Sequence, residues 1–162
     1  MDWVPFITQA FDYDRWANRQ WLNSLGGFKR IERAHQILEH VLQAQHVWLK
    51  RCGVEIPRQE SDTSLQDLFD STAMLWVMLM EQTNPDEIVS YKNSAGEDYA
   101  ESVAQIALHV INHGTYHRGQ LRGLAEADNY TAFPETDLIL FLREHKAAQL
   151  RTPRPSSQPL YD

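Results

Sequence analysis

The chain has 162 residues, 43% of them hydrophobic, which suits one domain around a single core and leaves little for a second. Its 15 Lys and Arg against 22 Asp and Glu give a formal net charge of -7, so the basic surface that phosphate backbones require is missing and no nucleic-acid partner is expected. The lone Cys52 excludes an intramolecular disulfide, no basic-then-apolar leader opens the chain, and no stretch approaches 18 uncharged apolar residues; a cytoplasmic protein with no membrane partner is expected.

The first predicted helix runs from about Trp3 to Leu25, with Trp3, Ile7, Phe11, Ala17, Trp21 and Leu25 on one stripe and a stop at Gly26-Gly27. The second spans about Lys29 to Cys52, with Ile37, Val41, Ala44, Val47 and Trp48 on its apolar side and Gly53 as its stop. A third opens on Thr63 and Gln66, spaced as a capping box, and runs to about Gln82 with Leu65, Phe69, Thr72, Trp76 and Met80 inward.

Between Ile88 and Tyr99 the period changes, and Asn93-Ser94-Ala95-Gly96 reads as a turn, so a small hairpin or extended loop is expected. The fourth helix starts near Ser102, three residues before Gln105, and continues past Leu124 with Val103, Ile106, Val110, Leu121 and Leu124 inward. A shorter amphipathic stretch follows Pro134, from about Glu135 to Gln149. The fold class expected is all-α: a four-helix bundle with a short additional C-terminal helix, residues 1–150 forming the domain and 151–162 a flexible tail. The connection between the third and fourth helices is long enough to permit a crossover.

The seven histidines are clustered rather than scattered. At about 100° per residue, with His113 as zero, Ile106, His117 and Leu124 fall within roughly 40° and Val110 near 60°, so His113 and His117 are expected to point inward, with His109 at the stripe's edge bordering a pocket. On the second helix the same construction puts His40 among Val47, Ala44 and Ile37, while His35 and His46 fall on the opposite, solvated side. Two imidazoles at i and i+4, joined by a third from a neighbouring helix, can hold one divalent ion and leave a coordination position open. The alternative is a set of buried or edge histidines satisfied by neighbouring polar groups.

Two familiar helical metal motifs are absent. His113 to His117 reads H-G-T-Y-H, without the general-base Glu of H-E-x-x-H peptidases, and only Glu32 to His35 has the Glu-x-x-His spacing of di-iron bundles, on the solvent side. Asp14 and Asn18 interrupt the apolar stripe of the first helix. They either orient a metal-bound histidine or water, with Asp14 as a candidate catalytic group and Asn18 beside the substrate, or sit at a wet bundle end. On the first of these readings Asp14→Asn weakens metal binding or turnover with little loss of stability. Gln120, one turn after His117, carries the same two readings, and Cys52 is read as a small buried residue rather than a ligand.

The run from His109 through His113, His117 and Arg118 to Gln120 resembles the signature of the DinB-like superfamily of four-helix-bundle metalloproteins. Leu38-Glu39-His40 to Trp48-Leu49-Lys50-Arg51 is similar to that family's second-helix pattern, and Tyr13-Asp14-Arg15-Trp16-Ala17-Asn18 to its first. The resemblance implies one divalent ion, zinc or nickel, held by His40, His113 and His117. It also implies kinship with S-transferases and isomerases that use low-molecular-weight thiols such as bacillithiol or mycothiol, while naming no substrate.

Three functions are therefore expected to compete. The first is a metal-dependent transferase that activates a small thiol co-substrate toward an electrophile, with His109, Asn18 and Gln120 as substrate-binding candidates. The second is a metal-dependent hydrolase with Asp14 as proton acceptor, and the third a non-enzymatic metal-binding stress-response protein. Self-association into a homodimer is a further expectation.

Overall fold

The computed structural model describes residues 3–151. The elements in order are α1 (Val4–Asn23), α2 (Ile31–Arg51), α3 (Leu65–Gln82), β1 (Ile88–Lys92), β2 (Asp98–Ser102), α4 (Val103–Ala127) and α5 (Leu138–Arg151), with a 3-10 turn at Leu25–Gly27 after α1. The described residues are thus all-α apart from one two-stranded antiparallel hairpin, which resolves the expected choice between hairpin and loop. Apart from Arg151, which ends α5, the expected tail over 151–162 lies outside the described residues. Among the described residues no helix is long and apolar enough to cross a membrane.

Local chemistry explains most boundaries. At α4 the capping box is complete: Ser102 Oγ accepts from the Gln105 amide at 3.2 Å, and Gln105 Oε1 accepts from the Ser102 amide at 2.9 Å. At α3 the cap lies one residue later than Thr63, because Ser64 Oγ accepts from the Asp67 amide at 3.1 Å. Gly53 takes the left-handed φ of 79° that ends α2. In the hairpin turn, Asn93 Oδ1 accepts from the Ala95 and Glu97 amides at 2.9 and 3.0 Å while Gly96 supplies a φ of 85°.

Helix α1 packs against α3 and α4, and α2 packs against the other sides of the same two helices. Phe11 stacks on Trp76 and Arg19 pairs with Asp70, so α1 and α3 run antiparallel. His40 meets His117 and Trp48 meets His109, so α2 and α4 do too. Phe11 clusters with Val110, and Trp21 with Leu121, which makes α1 and α4 parallel. Helices α2 and α3 are then parallel, and the segment 52–64 must run back along the helices. The crossover therefore lies between α2 and α3, not between the third and fourth helices; the hairpin simply returns the chain at one end, where the Val103 amide donates to Glu87 O at 2.9 Å.

The core between α1, α2, α3 and α4 has two apolar layers, and a smaller third cluster lies under α5. One layer contains Trp21, Leu38, Leu42, Phe69 and Leu121, the other Phe11, Leu49, Trp76, Met80 and Val110. Between them on each helix lies a polar residue: Asp14 and Asn18 on α1, Gln45 on α2, Thr72 on α3 and Arg118 on α4, none more than 3% exposed. Helix α5 is docked on α1 by Phe141, buried against Tyr13 and Trp16, and by the Tyr13 hydroxyl, which donates to Thr136 O at 2.8 Å.

Candidate metal centre

His40 from α2 and His113 and His117 from α4 each offer a ring nitrogen within 4.8 Å of the other two. The ring centroids are 4.3 Å apart for His113–His117, 4.5 Å for His40–His117 and 5.2 Å for His40–His113, and the Nε2 atoms of His113 and His117 are 3.1 Å apart. Three imidazole nitrogens converging on one point match the donor set that a divalent ion accepts.

The triad does not point into the core as expected. His40 is exposed, and His113 and His117 are only half-buried. The physical reason lies in where the buried arc of each helix is centred. On α2 it is set by Leu38, Val41, Gln45 and Leu49, roughly 100–180° from His40, whereas Val47, counted as apolar, is 47% exposed. On α4 it is set by Ala107, Gly114, Leu121 and Ala125, roughly 80–120° from His113. The histidines occupy facing flanks of α2 and α4, and their site is a seam open to solvent on one side.

Burial, and after it the neighbouring His117, His40 and His109, lowers the His113 pKa to about 4, and burial lowers that of His117 as well. Both rings are thus neutral at pH 7, as ligation demands. Gln120 is exposed, yet its Oε1 lies 2.9 Å from His117 Nδ1. With that oxygen as acceptor, His117 carries its proton on Nδ1 and keeps the Nε2 lone pair for the shared point. His109 is exposed at the rim, its ring 5.9 Å from His113 and 5.1 Å from Trp48. A surface cavity there is lined by Gln105, Leu108, His109 and Asn112.

Asp14 and Asn18 lie in the polar layer of the core. Asp14 Oδ1 accepts from Arg118 Nη1 at 2.5 Å, and Oδ2 accepts from Asn18 Nδ2 and Gln45 Nε2, both at 2.9 Å. Arg118 also donates to Asn18 Oδ1 at 2.9 Å and Thr115 Oγ1 at 3.0 Å. This network ties α1, α2 and α4 together directly behind the triad, since Gly114 and Arg118 each follow a histidine of the pair. Gly114 leaves room for this network, because a Cβ there would stand 2.5 Å from Asp14 Oδ1. Gln45 and Arg118 escaped the reading of the first helix, but the same signal marks them: each is a polar residue on the buried stripe of its own helix.

The remaining single residues divide. His35 is a surface group 3.5 Å from Glu39. His46 is not simply solvated: its Nε2 lies 2.8 Å from Thr72 Oγ1, joining α2 to α3, and burial followed by the Lys50 charge lowers its pKa. Cys52 is half-buried outside the triad, with burial raising its thiol pKa to about 11, which suits packing rather than ligation.

No solved structure matches the chain significantly. Protein DinB of Bacillus subtilis (strain 168) is similar to it, 24% identical over 164 aligned positions that cover 85% of this chain and 94% of that protein. The sequence profile of the DinB family matches residues 7–127, from the first turn of α1 to the end of α4 and therefore through all three histidines and the whole polar layer, and the chain belongs to the DinB family.

Proposed function

We propose that this protein is a four-helix-bundle metalloprotein whose His40, His113 and His117 hold one divalent ion, zinc or nickel, and that it transfers a small thiol to an electrophile. The observation that carries this reading is the convergence of three imidazoles, two of them neutral at pH 7, on a solvent-open seam with no carboxylate or thiolate in the group. Three protein ligands leave room for an exogenous one. A divalent ion at such a site lowers the pKa of a thiol or water bound to it.

The chain's own residues supply orientation and access. Gln120 sets the tautomer of His117, His109 and Trp48 wall one side of the seam, and the polar layer holds the two ligand-bearing helices in register. Asp14 has both carboxylate oxygens engaged by Arg118, Asn18 and Gln45, so it is poorly placed to accept a proton from water. This weighs against the hydrolase reading and favours a reaction in which the nucleophile loses its proton without a strong protein base.

The test is elemental analysis of untagged protein followed by titration with small thiols and a model electrophile such as 1-chloro-2,4-dinitrobenzene. One equivalent of metal, thiol binding that depends on it, and metal-dependent thioether formation are expected. Metal without thiol binding would sink the transferase reading and leave a metal-binding protein whose open position holds water.

A further inference from the structure

Arg51, the last residue of α2, sits in the corner between two nearly perpendicular rings. Its Cζ is 4.4 Å from the ring centroid of Trp48 and 4.4 Å from that of Tyr91, and those rings are 5.0 Å apart at 80°. Its Nη2 donates to the Lys92 carbonyl at 3.2 Å. Among the described residues no carboxylate pairs with it, as is also true of Arg33, Arg58 and Arg143, whereas Arg15, Arg19, Arg30, Arg118 and Arg122 each have one. Glu101 of β2, on the same face of the hairpin as Tyr91, raises the pKa of the Tyr91 phenol.

A guanidinium carries five N–H donors in a plane, and stacking on rings leaves the edge free for an in-plane acceptor. The two rings also restrict the side chain before any ligand arrives, which lowers the entropy lost on binding. Beside this cation lies a shelf: Tyr99, 44% exposed, stacks on Tyr91 with centroids 6.0 Å apart and planes within 23°. The register Tyr91↔Tyr99 puts both rings on one face of the hairpin.

We propose that Arg51, Trp48, Tyr91 and Tyr99 form a binding site for an aromatic carboxylate, with the carboxylate on the free edge of Arg51 and the ring against the tyrosine shelf. A row of rings, Trp48 to His109 to His113, joins this site to the triad. A substrate filling both places its anionic end at Arg51 and its reacting atom at the seam; that extension rests on the thiol-transfer reading, whereas the binding site itself does not.

Arg51 also pins the hairpin to α2, so loss of stability in a variant cannot decide the matter, and a comparison of ligands on the unaltered chain can. Benzoate and benzamide are titrated against the full chain while the Trp48 indole N–H and Arg51 Nε–H resonances are followed by nitrogen-15 NMR. Benzoate should shift both saturably and bind at least about tenfold more tightly than benzamide, because only the carboxylate forms a charge-assisted pair. Arg51→Lys, which keeps the charge but loses the planar fork stacked on the rings, should weaken that preference while the core amides stay in place. Equal binding of the two probes, shifts absent from Arg51 and Trp48, or an undiminished preference in folded Arg51→Lys overturns the proposal. Benzoate carries neither thiol nor leaving group, so failure of the transferase reading would leave this titration unchanged.

Discussion

Arg118 Nη1 donates to Asp14 Oδ1 at 2.5 Å between α4 and α1, with both side chains only 3% exposed. This contact changes what Asp14→Asn does. Asparagine nearly preserves the volume but leaves the Arg118 charge buried without its counter-ion, and removing one partner of a buried pair costs about 3–5 kcal/mol. A large fall in the urea midpoint is expected, not the small effect that an isolated acid/base group would give. An unchanged midpoint would show the pair to be energetically idle.

Gly114→Ala tests the same layer from the backbone side. In an ordinary helix interior the change stabilises, by roughly 0.5–1 kcal/mol. Here the new methyl would stand 2.5 Å from Asp14 Oδ1 and 3.0 Å from Arg118 Nη1, so an overpacking cost of about 1–3 kcal/mol should outweigh that gain and leave a smaller net loss. Thermal unfolding of the variant measures the sign directly, and a raised melting temperature would contradict the packing described.

At the triad, His40→Ala, His113→Ala and His117→Ala should each abolish stoichiometric metal retention after gel filtration. His35→Ala, on the surface beside Glu39, should retain one equivalent. Full retention by His113→Ala would remove the site.

Gln120→Ala should weaken metal affinity by the roughly 10- to 100-fold typical of groups that orient a ligating imidazole, with stability unchanged because Gln120 is exposed. Competition with a chelator of known affinity reads this out. Equal affinity in variant and parent would mean that His117 needs no partner at Nδ1.

In the metal-free protein His46, like His113 and His117, has a lowered pKa, and its share of the pH dependence can be isolated. Its pKa is lowered in the folded state, so above about 6.5 both folded and unfolded forms are neutral and nothing is lost. Below that pH the unfolded chain takes up the proton first, and stability falls as pH falls. His46→Gln, which keeps a polar partner for Thr72, should flatten part of the decline between pH 7 and 5. Urea midpoints of the two proteins that decline in parallel would exclude His46 as a source.

Much of this molecule was legible from spacing alone, because capping and periodicity are local. The Ser102 and Gln105 pair marks the start of α4 whatever surrounds it, Gly53 and the Asn93 to Gly96 turn end their elements for backbone reasons, and the H-x-x-x-H pair shares a face on any helix. The partners across helices were not legible. Periodicity tells which side chains lie together on a helix, but not the angle at which that face meets its neighbours, and apolar residues such as Val47 on the exposed flank of α2 draw the expected core toward themselves. Only the packing of α2 against α4 decided that the three histidines open to solvent instead of filling the core. Only the crossover through 52–64, which makes α2 and α3 parallel, decided which helices share an edge. And only the meeting of α1, α2 and α4 turned Asp14 from an isolated carboxylate into the counter-ion of Arg118, since a buried charge is tolerated where another element brings its partner.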